Sequence, residues 1–431
     1  MKWIVWMLLP WLTAAGAATA QTVADASLPP GALVLRAIES TPEVRAAEAM
    51  VDRAQAEQRM RRVGPYEAQL SVIPQQRRIE GGPTYREWEV DLARGVRWPR
   101  KARLDREIGA TGREAAQLML EDAHHAAARR VLVLWSAWQR ATVTLQLQRS
   151  QVELWQRERA SVARRVALGD AAGRDQIALD ATLAQARAAA LQAEVAQLTA
   201  QLALSSQFPA LPLPERVRLP SAPPSLTGSD ESWVNLILAR SHEIGAADAL
   251  SRQRDAEARR ARADRVPDPT IGLRALSDRG GRERVLGITL SIPLGGGYRG
   301  AQAAAAGADA MGAQAQLAMV SRDVRLEAQR TVALARGMHE VWRRQGEARI
   351  AAEASATRVE RAYALGESGL AELLAARRMA GDTALAERQS SVDAIEAVTR
   401  VEVDAHELWH RHEDGDVDEP RAGVSLPRMG Q

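Results

Sequence analysis

The chain has 431 residues, a net charge of +3 and no cysteine, which excludes disulfides, thiolate metal sites and a lipid-modified N-terminal Cys. Its basic residues are almost all Arg, interspersed with acids, and Lys2 and Lys101 are the only lysines. That is the pattern of solvated helix faces, not of a nucleic-acid stripe, and no nucleic-acid partner is expected. Aromatic content of only 4% with abundant Ala suits long, closely packed helices better than one thick core.

The first residues, "MKWIVWMLLPWLTAAGAATAQ", combine one Lys, a short apolar core and a small-residue end. Residues 1–20 read as a signal peptide, with Ala18-Thr19-Ala20 as the cleavage site. No later stretch approaches the roughly 18–20 apolar residues of a membrane-spanning helix. A helix of about 25 residues is then expected, followed by two strand-like runs within about 65–97. Tyr66, Ala68, Leu70 and Val72 alternate with polar residues, as do Trp88, Val90 and Leu92. Between Lys101 and Leu168 only Gly109 and Gly112 weaken a helix, giving a rod of roughly 100 Å. Its stripe runs Val131, Leu134, Trp138, Ala141, Leu145, Gln148, Val152, Trp155. A turn at 167–176 precedes a return helix with its own stripe, Ile177, Ala181, Ala184, Ala188, Leu191, Val195, Leu198, Leu202. The three- and four-residue steps predict antiparallel helices supercoiled on one another, with both stripes as seams.

A Pro-rich linker at 209–232 closes a first unit, 21–208, and the order then recurs over 233–412. "STPEVRAAEAMVDRAQAE" from Ser40 superposes on "SHEIGAADALSRQRDAEA" from Ser241, and Gly169 falls on Gly366, 197 residues on. The chain reads as a tandem duplication with a period far too long for a solenoid. The second unit has a strand pair at about 269–293, with Ile271, Leu273 and Ala275, then Leu286, Ile288, Leu290 and Ile292 as its apolar sets, and a turn at 364–373. Residues 413–431 read as a disordered tail. The fold class is therefore mainly α with a small β part. Four strands leave open edges. Three copies would supply twelve, an even-numbered closed barrel, the alternative being a soluble half-buried sheet.

Signal peptide, duplicated helix–hairpin–helix–turn–helix units and absent cysteine together resemble the TolC-like outer membrane efflux protein family over about residues 32–410. The most specific marks are the strand exit "SIPLGGGYRG" and the turns "ALGD…D" and "ALGE…E", while "GVRWPRKARLDRE" is similar to the heavy-metal, CzcC-type branch. The resemblance implies a homotrimer: a twelve-stranded outer-membrane barrel in lipid, continued by a twelve-helix periplasmic tunnel. It implies the exit duct of a tripartite efflux pump for metal cations, drugs or other small molecules, in a Gram-negative outer membrane. Its partners would be a periplasmic adaptor (membrane fusion) protein and an inner-membrane pump. The competing reading is a periplasmic coiled-coil scaffold or adaptor without a channel, which has no use for strands with an outward apolar face.

The candidate sites follow. Gly295, Gly297 and Gly300 spell GxGxxG, but the strand before them alternates polar and apolar and a long helix follows, unlike a dinucleotide site. Pro293, Gly295, Gly296 and Gly297 are expected to form a strand-to-helix corner. No cofactor and no catalytic set are expected. Gly169 and Gly366 are expected to end helices in the left-handed conformation, with Asp175 and Glu372 in the first turns of the returning helices, where the macrodipole favours acids. By the resemblance, the tip residues Leu168, Gly169, Asp170, Asp175, Leu365, Gly366, Glu367 and Glu372 would dock the adaptor. Tyr363, Asp175 and Glu372 would gate, with Tyr363 bonded to Asp175 across the tips, and Ser368 stands where the family's second latch wants an arginine. His406 and His410 have i, i+4 spacing that can seat Zn²⁺, but without an H-E-x-x-H motif or further upstream ligands they read as a solvated helix end, and no metal is expected. The mature chain should begin at Gln21. N-terminal sequencing of the exported protein is the check, and a retained Met1 would contradict it.

Overall fold

The structure, a computed structural model, describes residues 27–214 and 217–410. The expected signal peptide, its cleavage site and the tail lie outside the described residues. The same order of elements occurs twice. First come α1 (Gly31–Glu39), α2 (Pro42–Val63), β1 (Ala68–Arg78), β2 (Thr84–Gly95), α3 (Pro99–Ala167) and α4 (Gly173–Gln207). Then follow α5 (Asp230–Arg240), α6 (His242–Ala263), β3 (Thr270–Asp278), β4 (Glu283–Ser291), α7 (Gly297–Ala364) and α8 (Leu370–Asp404). The long helices α3 and α7 have 69 and 68 residues, each about 100 Å at about 1.5 Å per residue.

The single leading helix expected in each unit is two helices. In the first unit Pro42 opens α2. Its ring disfavours helical geometry at the preceding Thr41, and it has no N–H for the ladder. In the second, Ser241 leaves the helix and its hydroxyl accepts from the Ile244 amide, an N-cap that restarts the chain as α6.

The helices pack along one another. α3 packs against α2, α4, α6 and α8, and α7 against α5, α6 and α8. Gly109 and Gly112 are close-approach positions rather than weak points. A Cβ on Gly109 would lie 3.0 Å from the Gln58 Cα on α2, and one on Gly112 would lie 2.7 Å from Gln253 on α6. The largest core gathers Val34, Ile38, Trp135, Trp138, Leu204 and Phe208. A separate one near the turns joins Trp155 and Val162 of α3 to Leu179, Leu183, Leu370 and Leu373, locking the two hairpins together.

The α3 stripe is a seam, with Val131, Trp138, Leu145 and Trp155 buried. The α4 stripe is not a seam within the chain: all eight of its residues are exposed, Ile177 by 70%. α4 instead buries Leu179, Thr182, Leu183, Ala193 and Leu204. Alanine and leucine occupy more than one face of this helix, so periodicity alone does not say which face meets α3.

The sheet is four-stranded and wholly antiparallel, in the order β1-β2-β3-β4. Its register aligns Leu70 with Leu92, Leu273 and Ile288, and Val72 with Val90, Ala275 and Leu286. Residues directly opposite one another share a face, so the four apolar sets read from the sequence form one apolar face. The other face carries Ser71, Asp91 and Arg274 in one row, and Arg274 pairs with Glu89 at 2.7 Å.

Candidate functional site

The two turns are built alike. α3 ends with the Gly169 amide donating to the Val166 carbonyl (3.1 Å) and the Asp170 amide to Arg165 (2.8 Å). α7 ends with Gly366 donating to Tyr363 (3.1 Å) and Glu367 to Ala362 (2.8 Å). This double bond pattern needs a left-handed residue, and Gly169 (φ 83°) and Gly366 (φ 79°) supply it. Leu168 and Leu365, one residue before each glycine, stand exposed at the apices, as do Asp170 and Glu367. Asp175 and Glu372 lie in the first turns of α4 and α8.

Inside the chain the structure puts Arg165, not Asp175, on Tyr363. The Arg165 guanidinium donates to the Tyr363 hydroxyl at 2.7 Å and lies 5.2 Å from the ring centroid, a hydrogen bond and a cation–π contact together. Asp175 has Arg174 beside it at 3.9 Å. Ser368 donates to the Val359 carbonyl. Below them Arg377, largely buried, joins Glu158 of α3 to Glu360 of α7, both at 2.8 Å.

At the corner into α7, Pro293, Gly295 and Gly296 precede the helix and Gly297 begins it. None of the three glycines has positive φ, so the bend is not a left-handed turn. A Cβ on Gly295 would lie 3.2 Å from the Arg265 carbonyl oxygen, whereas Gly296 and Gly297 face open space. β3 and β4 are antiparallel and α7 leads to α8, so this GxGxxG lies outside any βαβ unit.

The polar centre of this region escaped sequence reading. Lys101, 2% exposed, pairs with Asp264 at 2.9 Å and Asp268 at 3.0 Å. Asp268 also accepts from the Tyr66 hydroxyl at 2.7 Å and the Trp98 amide at 3.2 Å. Arg260 bridges Asp105 and Asp264, Arg97 pairs with Asp105 at 2.7 Å, and Arg299 donates to the Asp264 carbonyl. Burial would raise the Asp268 carboxyl, but bonds from Tyr66, Lys101 and Trp98 hold it below its ordinary value. Asp264 is lowered likewise, by Arg260 and Lys101 acting against burial. Tyr66 is pushed up to about 12, by burial first and then by Asp268. The one sequence signal was Lys101 itself, the only lysine beyond Lys2 in an arginine-rich chain.

The histidines are not on a solvated helix end. α8 stops at Asp404, and His406, buried, takes φ 57°. His242, from the first residue of α6, joins His406 and His410, with one ligand nitrogen from each within 4.8 Å of the others. Burial, then the charges of His125, His242, His410 and Arg240, push His406 down to about 2, so it is a neutral imidazole. Asp404 accepts from Arg129, Arg400 and His125, and these hold it near 2 although burial would raise it.

No family model and no curated protein matches the chain. Solved structures do. The outer membrane protein VceC of Vibrio cholerae superposes with a TM-score of 0.73 at 16% identity, covering 87% of this chain and 95% of its own. The chain has the TolC-like outer membrane channel fold. The CmeC outer membrane channel of Campylobacter jejuni matches at 0.72 and 12% identity, over 89% and 86% of the two chains. The open state of the Neisseria gonorrhoeae MtrE outer membrane channel matches at 0.68 and 17%, over 87% and 88%. At such identities the TolC-like fold is carried by its elements and patterns rather than by individual residues.

The junction sets a pH window. Asp264 and Asp268 have lowered pKa, so their stabilisation is complete above about pH 4 and is lost as pH falls through the folded values. Tyr66 is raised, so its contribution is complete below about pH 10 and is lost as pH rises through about 12. Lys101→Met should cost about 3–5 kcal/mol by leaving Asp268 buried without its cation and should flatten the acid limb. Chemical denaturation between pH 3 and 8 is the check, and an unchanged acid limb would contradict the assignment.

Proposed function

We propose that the protein is the exit duct of a tripartite efflux pump, three copies closing a barrel in the outer membrane and a helical tunnel below it. The observation that carries this reading is that both layers of the chain are open. β1 and β4 are edge strands, and unpaired edges invite further strands. The apolar face of the sheet is bare: Leu286 is 83% and Ile288 79% exposed. From the row of Ala68 to that of Pro74 the apolar band covers four rows of the sheet, about 20 Å along the strands. Arg94 stands in its lowest row, and Arg86 and Arg284 bound the opposite end.

The helical layer supports the same closure. The stripe on α4 is uncovered among the described residues, and α7 exposes Met319, Leu326, Leu334 and Val341 at steps of seven and eight residues. In a ring of copies the α4 edge of one layer meets the α7 edge of the next, and the α4 stripe gains a seam with the Leu334 and Val341 part of α7. A periplasmic scaffold or adaptor would use the helices but leaves the bare sheet face without a role. In this reading the exposed Leu168 and Leu365 with the acids beside them meet the adaptor, and cargo selection resides in the pump.

The tips also gate in this reading. Tyr363 is already engaged by Arg165 within one protomer, so a bond from Tyr363 to Asp175 forms between subunits or by exchange with Arg165. Asp175 and Glu372 place carboxylates at the pore mouth, which favours cations.

Ile288→Arg should cost about 2–4 kcal/mol of barrel assembly if that row lies at the bilayer midplane, while Thr289→Arg, on the opposite face, should be tolerated. Heat-resistant trimers in the outer-membrane fraction are the measure, and equal effects of the two substitutions would overturn the assigned faces. Tyr363→Phe combined with Arg165→Ala and Asp175→Ala should raise single-channel conductance in planar bilayers with trimer yield unchanged. An unaltered conductance would remove the latch.

A further inference from the structure

Three helix ends in the chain share one hydrogen-bonded turn. At the end of α8 the His406 amide donates to the Val403 carbonyl (3.0 Å) and the Glu407 amide to Glu402 (2.8 Å), the pattern seen at Gly169 and Gly366. Here the left-handed position holds His406 (φ 57°), and Trp409 three residues on has φ 56°. Glycine is the usual occupant. A strained residue where glycine would serve suggests that the side chain is needed there.

The two left-handed residues fold the segment back on α6. His242 and His406 stack with centroids 4.6 Å apart, and His406 and His410 at 4.7 Å. His125 adds a fourth ring 4.9 Å from His406 and is itself anchored to Asp404 at 3.3 Å. A cavity of 20 Å³ beside His406 and His410, also lined by Glu39 and Glu121, has room for a water. Arg240, the nearby cation, is occupied by the Ala405 carbonyl at 2.6 Å and Glu407 at 2.5 Å.

We propose that His242, His406 and His410 form a binding site for a divalent transition cation of the zinc class, which clamps the segment after α8 onto the start of α6. Three imidazole donors suit Zn²⁺, Cu²⁺ or Ni²⁺ and not the oxygen-seeking Mg²⁺ or Ca²⁺. Bonds of about 2.0–2.1 Å put tetrahedral ligand nitrogens about 3.3 Å apart, and imidazole torsions close the present 4.8 Å. Water in the neighbouring cavity supplies the fourth ligand, and the His125–Asp404 pair braces the cluster from behind, as outer-shell carboxylates do. The site binds its cation whether or not the chain forms a channel, since its three ligands come from one protomer.

The test uses the full mature chain, purified in detergent without a histidine tag and stripped with chelator. Titration with Zn²⁺ by calorimetry should give one ion per chain, and Co²⁺ should give the strong visible bands of a tetrahedral site. His406→Gly, which suits the left-handed turn better than histidine, should keep the circular dichroism spectrum and weaken Zn²⁺ binding at least 100-fold. His242→Ala and His410→Ala should weaken it at least 10-fold, and His339→Ala on α7 should not. Zn²⁺ should also raise the melting temperature of the wild type but not of His406→Gly. Equal Zn²⁺ affinity in wild type and His406→Gly, or no Zn²⁺-dependent rise in wild-type melting temperature, would overturn the proposal.

Discussion

One buried cation holds the sheet to the helices. The chain crosses between them four times, and every crossing ends on the same polar cluster. Tyr66 arrives from α2, Trp98 and Lys101 leave toward α3, Asp264 and Asp268 leave α6, and Arg299 enters α7. Lys101 sits at the centre with two carboxylates and is almost wholly removed from water. Burying these charges is expensive and is offset only if each one is satisfied. A shift of the β2–α3 or the α6–β3 crossing would part Lys101 from its two carboxylates, so the cluster favours a single angle between sheet and helices.

That cluster explains the limits of what the sequence disclosed. Alternation in the strands and the 3.5-residue period in α3 are local signals, and they gave strands whose apolar residues share a face and a helix whose stripe is buried. The glycines of both turns were legible because the left-handed position is itself a local demand. Lys101 and Asp268 are 167 residues apart in the chain and carry no motif. His242 likewise meets His406 only because α6 begins where α8 ends. The break before α2 was written plainly in Pro42, and the cap at Ser241 in a serine that also fits a helix interior. On α4 the periodicity was read correctly but its partner was not, because a stripe states that a face is apolar without naming what covers it.

A fixed junction has a further consequence for assembly. One protomer presents two unpaired strand edges and an uncovered stripe on α4, each costly to leave in water or lipid. Both layers are held at one angle by the ions around Lys101, so closing either layer orients the other. In the proposed ring of copies, strand pairing would bring α4 stripes toward neighbouring α7 edges, and helix packing would bring β1 toward β4. In the proposed assembly, barrel and tunnel formation would thereby be coupled through a few ångströms of buried charge. A loosened junction would let the sheet pair in one geometry and the helices in another, and neither ring would close.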